Sequence, residues 1–163
     1  MFEIAVFAML ATLLYVAQVG MAALPNIELV SLLVIVYTLV YGWKALIPVY
    51  VFVFLEWFTY GFGTWWFSYL YVWGLLVCIT MLFRKVDEPI LWAVISAVYG
   101  LFFGMLTAIP HFFIGGFGYG VSYWLGGITF DLLHCGGNFV AALLLVKPLR
   151  RALSAAQMAV KHK

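Results

Sequence analysis

The stretch from Gly127 to Val140, GITFDLLHCGGNFV, places an acid, a histidine and a carboxamide within an otherwise apolar run. On a helix that advances about 100° per residue, Asp131, His134, Cys135 and Asn138 fall within roughly 100° of arc over about two turns, so they share one face. An ionisable group in a membrane segment is costly and turns toward a water-filled cavity or the bundle interior, which makes such a face a site. Three readings fit it. It recognises a polar ligand, it uses Asp131 and His134 as an acid/base pair, or it is structural, with Asp131 capping the last helix and His134 and Asn138 tying helices together.

Further candidates lie in other segments. Glu56, Trp57 and Tyr60 close one apolar run, and Trp65 and Trp66 open the next. Between residues 111 and 124, His111 and Tyr123 belong to an aromatic, glycine-rich stretch that reads as a mobile loop. Its rings serve either as a lid over a flat ligand or as an interfacial aromatic belt. The expected binding site is therefore Glu56, Trp57, Tyr60, Trp65, Trp66, His111, Tyr123, Asp131, His134 and Asn138.

Other chemistries find little support. Ser31, Ser68 and Ser122 lack a GxSxG context, and no HExxH is present for a metal. His111 and His134 both fall toward the outer surface without a second histidine pair for haem. GxxxxGK[ST] is absent, so no ATP hydrolysis is expected of this chain, and no basic face favours nucleic acid. Neither a cofactor nor a metal is expected. Cys78 and Cys135 have no CxxC or CxH spacing and read as packing residues.

The elements that must position these residues are membrane helices. Of the 163 residues 67% are hydrophobic and 9% charged, against about 45–50% and about 25% in a soluble domain. The expectation is an all-α membrane protein, one domain over residues 1–163 built as a six-transmembrane-helix bundle. The spans run approximately over 2–23, 28–41, 44–60, 66–83, 89–109 and 125–146, followed by a basic tail over 147–163. The second and third are short, and YGWK between them reads as a tight connection or as the bend of a single long or re-entrant helix. The first segment lacks a basic leader and carries Glu3, unlike a cleaved signal peptide. Ser96, Gly100, Gly104 and Ala108 form a small-residue stripe suited to close helix packing.

Charge placement orients the bundle. All eight basic residues, Lys44, Arg84, Lys85, Lys147, Arg150, Arg151, Lys161 and Lys163, fall in alternate connections or the C-terminal tail. Cytoplasmic loops carry the excess of Lys and Arg, so both termini are expected in the cytoplasm of a multi-pass cell-membrane protein. Glu28, Glu56 and Asp131 then lie in the outer half, where no Lys or Arg offsets them. This balance favours a neutral or cationic ring compound, held by aromatic faces and carboxylates.

The run GITFDLLHCGGNFVAALLLVKPLRRAL resembles the last membrane helix of the substrate-binding S components of energy-coupling factor vitamin transporters. That helix often reads G-x-x-F-D-L-x-H-x-x-x-N and ends in K-P-L. The resemblance implies a six-helix specificity subunit of an ATP-driven importer, binding a water-soluble vitamin or precursor at the outer face. It also implies separate partners in the bilayer and beneath it: a transmembrane coupling subunit and two ATPase subunits. Many members dock through an Ala-x-x-x-Ala motif in the first helix. This chain has none there, and Ala5, Ala8 and Thr12 are the positions that offer a small-residue face, with Ala8 and Thr12 at the motif's spacing. An integral membrane enzyme and an accessory structural subunit are the alternatives.

Overall fold

The computed structural model describes residues 2–24 and 27–161. Pro25 and Asn26 of the first connection, and His162 and Lys163 of the basic tail, lie outside the described residues. The helices are α1 (Phe2–Gly20), α2 (Val30–Tyr41), α3 (Leu46–Tyr60), α4 (Thr64–Phe83), α5 (Pro89–Leu101) and α6 (Phe103–Lys161), with a 3-10 turn over Gly42–Ala45. No strand occurs among the described residues. Four helical stretches are long and apolar enough to cross a membrane: Glu3–Gly20, Val30–Tyr60, Thr64–Phe83 and Pro89–Ala159.

Two of these stretches reverse direction. In the second, Tyr37 donates from its hydroxyl to the Leu10 carbonyl and Tyr41 packs edge-on against Phe7, so α2 runs antiparallel to α1. Beyond the turn, Lys44 pairs with Glu3 and Thr59 reaches Tyr15, so α3 runs parallel to α1. Gly42, at φ 61°, makes the reversal. The chain thus changes direction at YGWK, between α2 and α3.

The fourth stretch turns at Gly116, whose φ 77° and ψ −177° interrupt α6. In a straight helix residues 104 and 131 would lie about 40 Å apart, yet the Gly104 N–H donates to Asp131 Oδ1 at 2.8 Å. The 103–115 arm therefore continues the direction of α5, and the 117–161 arm returns alongside it. The glycine-rich segment expected as a mobile loop over 111–124 is helical on both sides of this single break. The sequence reading weighed glycine as a helix breaker. Where water is scarce, though, leaving the backbone unbonded costs more than glycine's lost entropy, and glycine is common in membrane helices. The same economy keeps Pro148 inside the helix, so the basic tail has no break from the preceding leg.

The bundle has an apolar core that includes Phe52, Trp73 and Trp92, and its outer surface is apolar too. Large apolar residues such as Leu13, Phe58, Leu82, Leu132 and Leu144 are exposed, while Ser31, Thr38, Glu56, Ser68, Asp131, His134 and Asn138 are buried. Thr38 and Thr80 satisfy their hydroxyls on carbonyls one turn back. The small-residue stripe packs internally. A Cβ at Gly100 would meet the His134 backbone at 3.0 Å, Ser96 accepts from Asn138 through its carbonyl, and Ala108 is buried. Cys78, expected as a packing residue, is exposed on α4, and Cys135 is half-buried. Lys44, Arg84, Asp87 and Arg150 meet at one end of the bundle, where Arg150 pairs with Asp87 and the Arg84 guanidinium lies over Gly42.

Gly61 (φ 76°, ψ −173°) and Gly116 occupy backbone conformations that are nearly glycine-only. A Cβ would meet nothing within 4 Å at either. Gly61→Ala and Gly116→Ala should therefore each cost about 1–3 kcal/mol through backbone strain alone, read as a lower unfolding midpoint in mild detergent. Gly136→Ala, in helical conformation and equally uncrowded, should cost nothing.

Candidate functional site

At the end of the bundle away from the basic residues lies a cavity of about 480 Å³, lined by Gln18, Met21, Ala22, Leu24, Ile27, Glu28, Glu56, Tyr60, Trp65, Tyr69, Trp73, Phe103 and His134. Its aromatic wall comes from α4, where Trp65, Tyr69 and Trp73 are spaced four apart and stack on one side of the helix. Successive rings meet edge to face at 5.3 Å. Phe103 completes the wall, 5.7 Å from Trp73 and 4.9 Å from the His134 ring.

The polar groups come from four other segments, α1, the connection before α2, α3 and α6. Glu28, in the connection before α2, accepts from the Ser31 N–H at 2.8 Å through Oε2 and so caps that helix. Its Oε1 lies 3.0 Å from His134 Nε2. Burial alone would raise the Glu28 pKa, but hydrogen bonds and attraction from His134, with the Ser31 hydrogen bonds, hold it below its ordinary value. Glu56 is 2% exposed, and its Oε1 has no partner among the described residues. Gln18 of α1 donates to the Tyr69 hydroxyl at 3.5 Å. Among the described residues, no lysine or arginine lines the cavity.

A second cavity of about 420 Å³ adjoins the first and shares Trp65, Tyr69 and Phe103 with it; Asp131 and Tyr123 lie on its other side. The structure thus places Glu56, Tyr60, Trp65 and His134 at the first cavity, and Trp65, Tyr123 and Asp131 at the second.

The other expected site residues lie elsewhere. Trp66 donates its indole N–H to the Val53 carbonyl and packs with Trp57, Phe62 and Phe54, so both tryptophans tie α3 to α4 outside the cavities. His111 stacks on Tyr123 at 3.7 Å and joins the two arms below Gly116. Asn138 is buried against Ser96, as the structural reading had it. Asp131 and His134 do not hydrogen-bond to each other. His134 turns to Glu28, and Asp131 Oδ1 accepts from Gly104, so the acid/base pairing expected as an alternative is not formed. Reasoning from sequence missed Gln18, Tyr69, Trp73 and Phe103, and left Glu28 out of the site. The four-residue spacing of Trp65, Tyr69 and Trp73 was the available signal.

Comparison of the chain with protein-family models, with curated proteins and with solved structures returns no significant match.

Glu28 ties cap and site together, so Glu28→Ala should destabilise the bundle by about 1–3 kcal/mol, because it strands a helix N–H and a buried imidazole. Glu28→Gln, which keeps an acceptor, should cost less. A lowered folded-state pKa means that the stabilisation from ionised Glu28 is present above its ordinary value of 4.5 and fades as pH falls below it. The stability gap between the parent and Glu28→Gln should accordingly be full at neutral pH and narrow under acid, as measured by thermal unfolding at each pH.

Proposed function

We propose that this chain is a six-crossing helical membrane protein that captures a neutral or cationic ring compound, as the specificity subunit of an ATP-driven micronutrient importer. The observation that carries the reading is the first cavity: an aromatic ladder facing two buried carboxylates, with no lysine or arginine among the described residues of its lining. Rings stack on Trp65, Tyr69 and Trp73, and donor groups of the ligand meet Glu56, whose buried Oε1 has no partner among the described residues. Reversals at Gly42 and Gly116 within two of the four long apolar stretches support a count of six crossings. Gathering of Lys44, Arg84, Lys85 and Arg150 at the opposite end supports cytoplasmic termini and an outward-facing cavity.

Delivery falls to partners, a membrane coupling subunit and two ATPases. Ala5, Ala8 and Thr12 are exposed on α1, a surface on which a second helix can pack closely. The resemblance of the last helix to those of S components points to a vitamin or vitamin precursor. An enzyme acting through Asp131 and His134 is less well supported, because those two groups are engaged with different partners.

Mass spectrometry of the compound released from purified protein is the direct test, and a neutral or cationic ring compound is expected. A released anion would overturn the charge argument. Glu56→Gln should weaken binding of that compound by about 10- to 100-fold, the worth of a hydrogen bond to a charged group, while leaving the unfolding midpoint close to the parent's. Topology is tested separately: a cysteine added after Lys163 should resist an impermeant thiol reagent applied to intact cells.

A further inference from the structure

The second cavity has the attributes of a binding chamber and no structural purpose of its own. Asp131 is 3% exposed. Its Oδ1 has a role in the fold, accepting the Gly104 N–H where the chain passes from α5 into α6. Its Oδ2 has no partner among the described residues, though the residue lines the cavity. Leaving a buried carboxylate oxygen unpaired is costly. The carboxylate packs directly on Gly104, where a Cβ would collide with it, and the open space of the chamber borders Gly127, where a Cβ would meet nothing within 4 Å.

The partition between the chambers consists of Trp65, Tyr69 and Phe103, which line both cavities. Trp65 and Tyr69 are only half-buried and present faces to either side. Glu56 and Asp131, each with a free oxygen, thus stand on opposite sides of an aromatic divider. His134, one helical turn from Asp131, marks the junction on the α6 side.

We propose that the two cavities are subsites of one elongated site, and that its ligand is bipartite. One cationic or donor-bearing ring lies against the α4 ladder with Glu56, and a linker passes the divider to a second donor group at Asp131 Oδ2. This inference rests on the first cavity being a ligand site, and it adds that Asp131 determines the ligand's length and second charge. A ligand with a single ring fills only the first chamber.

Benzamidine, a single-ring cation, and propane- and pentane-linked bis-benzamidines test this with the full chain in phosphatidylcholine nanodiscs. Binding is read by calorimetry and by quenching of tryptophan fluorescence. With the parent protein, the better linked compound should bind about tenfold or more tighter than benzamidine, the gain from engaging a second tethered group. The ratio of the two dissociation constants should fall toward one in Asp131→Asn. It should fall likewise in Gly127→Phe, which fills the second chamber and keeps Asp131 in place. In Glu56→Gln both compounds should weaken together and the ratio should persist. If benzamidine binds the parent but neither linked compound binds more tightly, or if the ratio survives in both Asp131→Asn and Gly127→Phe, the bipartite site is wrong while the first-cavity reading stands. If benzamidine itself fails to bind the parent at millimolar concentration, the first-cavity reading falls, and this inference with it.

Discussion

The contact between Glu28 and His134 joins residues 106 positions apart, and the arrangement of the bundle depends on it. A carboxylate and an imidazole taken out of water recover their hydration only through partners. Glu28 has two, the Ser31 amide and His134. Through the first it fixes where α2 begins. Through the second it holds the connection after α1 against the returning arm of α6. The chain therefore closes over the cavity at the place where it is most polar, so the site cannot be formed without the fold or the fold loosened there without the site.

Elsewhere the same constraint acts through close approach. Chains with little water around them gain little by burying leucine against leucine, and helices associate through small residues and hydrogen bonds. The α5–α6 pair follows this pattern, with Gly100 against the His134 backbone, Gly104 against Asp131, and Asn138 on the Ser96 carbonyl. Aromatic hydroxyls do comparable work on the other side, where Tyr71 and Tyr99 bond carbonyls of neighbouring helices. Polar side chains inside the bundle are thus of two kinds: those spent on holding helices together and those left over.

Which residues belong to each kind was only partly legible in the sequence. Helical periodicity placed Asp131, His134 and Asn138 on one inward face, and all three are buried. Periodicity is a local property, however, and it says nothing about partners tens of residues away. Asn138 was assigned to the ligand because Ser96 could not be seen beside it, and Trp66 because the Val53 carbonyl could not. Glycine between residues 115 and 120 was read as flexibility, a sound inference in water. Here one glycine turns the chain while the others sit in helix, Gly120 directly against the Phe112 ring. The Trp65, Tyr69 and Trp73 spacing was present in the letters and needed only the helical template to be applied to α4.

Among the described residues, Ser31 Oγ, His111 Nδ1 and Asn138 Oδ1 are left over away from the two cavities, and four other unpaired groups gather at them. Glu56 Oε1, Trp73 Nε1 and His134 Nδ1 belong to residues lining the first cavity, and Asp131 Oδ2 to one lining the second. An apolar bundle would be cheaper without them, since each unpaired buried group costs about 1–3 kcal/mol. Retaining two carboxylate oxygens, an indole N–H and an imidazole nitrogen around two adjoining cavities makes sense if the cost is recovered when complementary groups arrive. The same cost then supplies discrimination. A compound of the right shape but lacking the donors leaves the carboxylates stranded in a drier site, and polar sites reject such analogues far more strongly than apolar pockets reject a missing methylene. On the proposed reading, the aromatic walls would accept flat rings and the unpaired oxygens would select among them.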